Sequence, residues 1–345
     1  MTTESLFKGA VRSFSNSFFK VAGFATALVL VFFALAVFLS SGPQRVTATI
    51  PMPDHNWRVK PFSTELPTIL QIPITGEIGL ERGVRKEKVA AIFQDMQALD
   101  LKPGMFKAII LTINTPGGLA EDSEAIFRMI KEYKTEFKIP VYAYIDGLCA
   151  SGGTLISLAA DKIIASPSSL IGHVGCIMGT HFNISKTLER LGVDTKTIYA
   201  GKHKDELSPF RPWKEDEGED FQDLTDISYN RFVKLVVANR PRMTEEQLKE
   251  EGAKLYAPSE ALEQGYIDEI KESYRETLGE IVSVLEISNR YQVIQLRPQM
   301  FLSDIFGSEA SLSATRAVHH FLRLPGDNPP EFVGKPLYLY VPEAK

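Results

Sequence analysis

One run breaks the ordinary mixture of apolar and polar positions. From Val21 to Leu39 the chain reads VAGFATALVLVFFALAVFL, with Thr26 as its one polar member and no charge between Lys20 and Arg45. As a helix, nineteen residues span about 28 Å, close to the ~30 Å hydrocarbon core of a bilayer. A cleaved signal usually carries an apolar stretch of only ~7–15 residues, so the run predicts an uncleaved anchor over 21–41 behind a short arm at 1–20. Lys8, Arg12 and Lys20 precede it, and Arg45, Arg58 and Lys60 follow it. Only the immediate flanks favour a cytoplasmic arm.

Beyond the anchor, 42–66 is polar and broken by prolines, the pattern of a linker. Then short apolar runs alternate with amphipathic ones. Strands are predicted at 67–74, 107–113, 141–145, 162–165, 174–177 and 195–199. Helices are predicted at 84–99, 120–137, 184–191, 214–239 and 243–251, with a small strand–helix unit at 255–271. This alternation predicts an α/β fold on a largely parallel sheet over 67–285. Residues 286–345 hold one strand-like run, Val293–Leu296, among Pro- and Gly-containing loops and suggest no role.

Composition narrows the classes. The 345 residues carry 38 Lys+Arg against 43 Asp+Glu, a net charge of −5 that disfavours nucleic acid as a partner. The two cysteines, Cys149 and Cys176, are too few for a disulfide scaffold and lack paired metal-ligand spacing.

Two strand–helix junctions are candidates for chemistry, since α/β sheets place their sites there. In Asn114-Thr115-Pro116-Gly117-Gly118 the glycines allow a sharp turn and can present bare amides, although a tight turn alone explains them. In Asp146-Gly147-Leu148-Cys149-Ala150-Ser151-Gly152-Gly153 the serine is either a helix cap or a nucleophile. Cys149 reads as a small apolar residue at the strand end. A base for Ser151 has several candidates: His173 and His181 around a glycine-bearing strand, or Lys202 and Lys204 in Gly201-Lys202-His203-Lys204-Asp205. A lysine serves only if burial lowers its pKa enough to leave a neutral amine.

The order strand–NTPGG–helix, DGLCASGG and then GKHKDELSPF about fifty residues later resembles the protease IV, or signal peptide peptidase A, family of membrane-anchored serine peptidases, in its short form with one catalytic unit. The resemblance covers roughly 67–275. It implies the ClpP/crotonase fold, a spiral of ββα units, here behind a single N-terminal transmembrane helix. It makes Ser151 the nucleophile and Lys204, 53 positions on, the general base, with the Gly118 and Gly152 amides as the oxyanion hole. It further implies hydrophobic peptide substrates including cleaved signal peptides, no cofactor or metal, and a homo-oligomer with sites shared between subunits. The implied location is the inner membrane, single-pass, with the catalytic part on the periplasmic or external side.

The sequence departs from the family pattern at Gly172-His173-Val174-Gly175, where relatives carry a serine that orients the lysine. His173 is therefore a candidate dyad-orienting group or an alternative base. Two other readings stay open: a crotonase-type acyl-CoA enzyme, and a membrane scaffold without catalysis.

Overall fold

The computed structural model describes residues 20, 23–33, 47–81, 83–287, 290–298 and 337–339. The chain divides into two units, 1–46 with 299–316 and 47–298 with 317–345. In the first, residues 20 and 23–33 are helical and exposed. Among the described residues no helix is long and apolar enough to cross a membrane. The rest of the expected anchor, at 21–22 and 34–41, lies outside the described residues, as does the arm before Lys20.

The second unit is built on a nine-stranded sheet. Its strands are β1 (Thr47–Met52), β2 (Thr68–Thr75), β3 (Phe106–Thr115), β5 (Val141–Ala150), β6 (Lys162–Ala165), β7 (Leu170–Gly172), β8 (Leu255–Tyr256), β9 (Glu269–Ile270) and β10 (Gln292–Pro298). The order is β1-β10-β2-β3-β5-β6-β9, with β7 pairing with β5 and β8. From β10 through β2, β3, β5 and β6 to β9 every pair is parallel, as the alternating pattern predicts. β4 (Gly117–Leu119) forms a separate two-stranded sheet with β11 (Leu337–Leu339).

Both faces of the main sheet are covered, which explains why its central strands are nearly continuously apolar. On one face Leu70, Ile72, Ile109, Leu111 and Ala143 share a core with helices α1 (Lys86–Gln97), α2 (Ala120–Phe137), α3 (Gly152–Ser157) and α4 (Glu219–Asn239). On the other, the alternate residues Ile69, Ala108, Ile110 and Tyr142 meet a later helix, Tyr274–Val284, through Leu278, Ile281 and Val282. The period of two along each strand divides its side chains between these cores.

Four elements differ from the sequence expectation. The stretch expected as a linker contributes β1, antiparallel to β10 in the 286–345 region, so the sheet runs past 67–285 at both ends. Thr47-Ala48-Thr49-Ile50 is polar in composition yet rich in β-branched residues, which suit an edge strand. Next, β5 does not stop at Ile145. Ile113 pairs with Ile145 but Thr115 with Cys149, so β5 bulges at 146–148 and continues to Ala150. Gly147 permits the bulge at φ 111, and the Asn114 side-chain oxygen accepts the Leu148 N–H (3.1 Å).

The strand expected at 174–177 lies instead at Leu170–Gly172, because Gly172 (φ 121) and His173 (φ 56) turn the chain out of the sheet. Finally, 195–199 is no strand: every residue there is exposed, Ile198 at 88%. Its β-branched residues state a preference, and among the described residues no neighbouring strand satisfies it.

Candidate active site

The second junction is built by β5 and α3. Ser151 stands between them as the residue before the helix, at φ 54 and ψ −112. A non-glycine residue held there costs on the order of 1–3 kcal/mol and persists only where its surroundings fix it. The surroundings are visible. The upper half of β5 pairs with β7 so that Ala150 lies opposite Gly172, and the Ser151 N–H donates to the Gly172 carbonyl (2.9 Å). The Thr154 hydroxyl donates in a fork to the same carbonyl (2.7 Å) and to that of Cys149 (2.8 Å). The Ser151 carbonyl accepts the Leu155 N–H (3.0 Å), so the backbone on both sides of the serine is tied.

Its side chain is not tied. Ser151 has no exposed surface, and its Oγ has no hydrogen-bond partner among the described residues. A buried hydroxyl without a partner costs about 1–3 kcal/mol, so its position implies something other than stability. A cap role is absent: the Ser151 side chain accepts no helix N–H.

The first junction lies against the second. Thr115 pairs with Cys149, and a Cβ at Gly153 would come 2.5 Å from the Thr115 methyl, so the two loops fit only with glycine there. Gly117 turns at φ 98, its N–H donating to the Thr115 hydroxyl (3.1 Å). Gly118 crosses Ile78 so closely that a Cβ would sit 2.0 Å from the Ile78 carbonyl oxygen. Gly118 and Gly152 are both buried. Thr115, which accepts from the Gly117 turn, and Thr154, which donates to the Cys149 and Gly172 carbonyls, escaped sequence reading, because a small hydroxyl in a loop carries no signature until its partners are known.

His173 directly follows Gly172, whose carbonyl accepts the Ser151 N–H, and its own N–H donates to the Lys254 carbonyl (2.8 Å). Burial lowers its imidazole pKa below the usual histidine value, which favours the neutral ring. Burial also pushes the Cys149 thiol up to about 12, so this cysteine stays protonated as an apolar filler.

Among the described residues no hydrogen bond joins Lys204 to Ser151 within one chain: the lysine is exposed in the turn at 201–207, whereas the serine is wholly buried. Lys202 is exposed as well, and His181 sets its ring at a tilt to that of Phe221 (centroids 6.0 Å apart). The turn itself is firmly held. Arg211 donates to Asp205 (2.7 Å) and to both oxygens of Glu217 (2.8 Å each). That fork pulls the Glu217 carboxyl down to about 2. Around the turn the chain exposes Leu191, Ile198, Phe210 and Trp213. Among the described residues one set of three groups has metal-ligand proximity, His203, Glu206 and Asp220, with ligand atoms within 4.8 Å of one another. It is mostly solvent-exposed, and His203 already contacts Glu206.

Comparisons with known proteins bear on the family of the chain. The model of peptidase family S49 matches residues 134–279, and that of Clp protease matches 69–177. A putative protease of Methanocaldococcus jannaschii is 34% identical over 188 residues, which are 54% of this chain and 59% of that one. A putative protease of Synechocystis is 31% identical over 211 residues, 61% of this chain and 72% of that one. A putative signal peptide peptidase SppA of Enterococcus faecium is 33% identical over 164 residues, 48% and 47% of the two chains. The chain thus spans about three fifths of the first of these relatives and about half of the third.

Proposed function

Because this chain belongs to peptidase family S49, we propose that it is a serine endopeptidase whose nucleophile is Ser151. The observation that carries the reading is the serine itself: buried, held in a strained backbone conformation, and with a hydroxyl that nothing among the described residues engages.

The chemistry follows from the neighbours. A neutral amine of Lys204 takes the hydroxyl proton as Oγ attacks a peptide carbonyl. The tetrahedral oxyanion accepts hydrogen bonds from the Gly118 and Gly152 amides, each donor contributing roughly 3–4 kcal/mol. The protonated amine then delivers its proton to the departing amine, and water resolves the acyl-enzyme by the same route.

The lysine comes from a second copy of the chain. In one chain Lys204 is exposed, and among the described residues the nearby apolar side chains of Leu191, Ile198, Phe210 and Trp213 are exposed too. Packing that turn on a neighbour buries them and desolvates the amine, which is the condition for a neutral lysine. The substrates in this reading are hydrophobic peptides, cleaved signal peptides among them, met at the membrane to which the 21–41 segment anchors the protein, with 47–298 on the periplasmic or external side. Support for the anchor is the nineteen-residue apolar run.

His173 supports a second assignment of the base, since it follows Gly172, whose carbonyl accepts the Ser151 N–H, and burial lowers its pKa. Substitution separates the two. Ser151→Ala and Lys204→Ala each abolish hydrolysis of a fluorogenic hydrophobic peptide and labelling of Ser151 by a fluorophosphonate, while His173→Ala leaves partial activity. Co-assembly of Ser151→Ala with Lys204→Ala subunits restores activity at those sites where an intact serine meets an intact lysine. Full activity of Ser151→Ala ends the proposal, and the reverse ranking of the two base variants installs the histidine.

A further inference from the structure

Thr115 is wholly buried at the end of β3, and the two branches of its side chain reach different parts of the site. The hydroxyl donates to the Gly76 carbonyl and accepts the Gly117 N–H (3.1 Å). Gly76 is itself held, its N–H donating to the Asn114 carbonyl (3.2 Å), and two residues on, Ile78 engages both neighbours of Gly118. The Ile78 N–H donates to the Gly117 carbonyl (2.8 Å), and the Leu119 N–H donates to the Ile78 carbonyl (3.0 Å). The Thr115 methyl meets the other loop at Gly153, where a Cβ would come 2.5 Å from it. Gly153 directly follows Gly152 in α3.

From these contacts we infer that Thr115 is a positioning residue, whose hydroxyl fixes the turn carrying the Gly118 amide and whose methyl sets how closely the Gly152 amide approaches it. The inference rests on the peptidase reading of the site and adds the side chain that spaces its two oxyanion donors. Three features suit threonine to this. Its β-branching restricts χ1, so a hydroxyl committed to Gly76 and Gly117 also fixes where the methyl stands. One hydroxyl oxygen both donates and accepts, which satisfies the carbonyl and the N–H together. The backbone is anchored as well, since Thr115 pairs with Cys149 across β3 and β5. An oxyanion hole acts through fixed distances, so two amides spaced by one locked side chain need not reorganise as charge develops.

Substitutions in the full chain separate the two branches. Thr115→Val keeps the shape and removes the hydroxyl, so the Gly117 N–H loses that acceptor. Thr115→Ser keeps the hydroxyl and removes the methyl. Gly153→Ala presses a new methyl against Thr115 Cγ2, at a position without left-handed φ, so the added carbon acts through contact alone. Combining Gly153→Ala with Thr115→Ser removes that Cγ2, and the nearest remaining contact is the Thr115 carbonyl oxygen at 3.5 Å, an ordinary distance. This pair also tests the spacing if Thr115→Val folds poorly.

A misplacement of about 1 Å at a reacting centre costs on the order of 10²-fold. Thr115→Val is therefore expected to lower kcat on a fluorogenic hydrophobic peptide about 10²-fold with KM within about twofold, and Thr115→Ser to lose less than about tenfold. A peptide aldehyde, whose adduct with Ser151 sets an oxyanion on these amides, weakens in Thr115→Val by the same factor as kcat/KM. Affinity for the uncleaved peptide, measured in Ser151→Ala, is unchanged by adding Thr115→Val. A merely structural role would instead lower the fraction labelled by a fluorophosphonate and leave the ratio of aldehyde to peptide affinity alone. Gly153→Ala is expected to lose about 10²-fold in kcat, and the double variant to regain at least about tenfold of it, the non-additivity of groups in contact. Hydrogen exchange at the Gly117 amide quickens in Thr115→Val and not in Thr115→Ser. Parent-like kcat in folded Thr115→Val, an unchanged affinity ratio, or no recovery in the double variant overturns the inference. A parent that neither hydrolyses the peptide nor takes the label counts against the peptidase reading, whereas exchange at Gly117 indifferent to Thr115→Val counts against the role of the hydroxyl alone.

Discussion

Replacing Gly118 by alanine tests the oxyanion assignment through a single methyl group. That carbon would come 2.0 Å from the Ile78 carbonyl oxygen and 2.6 Å from its nitrogen, both backbone atoms with no rotamer to swing away. Against an ordinary contact of about 3.5 Å, the β4 strand has to retreat by roughly 1 Å or more. A displacement of that size at a reacting centre costs on the order of 10²-fold, and loss of one oxyanion donor costs about 10²–10³ in kcat. The expected result for Gly118→Ala is a kcat about 10²–10³-fold lower on a fluorogenic peptide. The folded state should lose only about 1–3 kcal/mol by denaturant titration, the usual cost of overpacking. Gly104→Ala is the matched control. It sits in open surroundings at φ 76, so it costs about 1–2 kcal/mol of left-handed strain and leaves kcat unchanged. A folded Gly118→Ala protein whose kcat stays within about threefold of the parent refutes the assignment, since less than ~1 kcal/mol would then ride on that amide.

Two further outcomes check other parts of the structure. Cys149 is wholly buried with its thiol held protonated, so maleimide applied to the native protein modifies Cys176 and spares Cys149 until denaturant is added; native labelling of both contradicts the packing. Asp268 accepts from Arg240 (2.8 and 3.0 Å) and from the Ile163 N–H (2.8 Å). Burial opposes its charge, yet the Arg240 guanidinium and that N–H hold the carboxyl below the usual range. A depressed carboxylate stabilises the fold above the ordinary aspartate value, and that contribution fades as pH falls through the lowered one. Asp268→Asn should therefore lose about 1–3 kcal/mol near neutrality, and its Tm gap to the parent should close below about pH 4. A gap independent of pH refutes the pairing.

Much of the candidate site is local, and that part is legible in the chain. The helix at 120–137 coincides with its predicted bounds, and the predicted strands at 67–74, 107–113 and 162–165 all exist. Such elements are set by residues a few positions apart: apolar spacing, β-branching and glycine turns. Ser151 and the Gly117-Gly118 turn stand out for the same reason. What failed depended on partners. The 47–52 stretch became a strand only because β10, some 245 residues later, lies beside it, while 195–199 has the side chains of a strand and no partner strand among the described residues.

The amino-acid order alone determined the α/β alternation, the two glycine-rich junctions, the apolar 21–39 run and the serine at the head of a helix, because each is written within a single turn or strand. Tertiary structure decided the rest. It set Gly172 against the serine amide, fitted Gly153 onto Thr115, left Lys204 in solvent within its own chain, and brought Tyr338 across from Gly118. Backbone hydrogen bonds are the same for every residue type, so a sequence can announce a strand without naming the edge it will join. That choice belongs to the whole folded chain, where burial, register and close backbone approach are satisfied together.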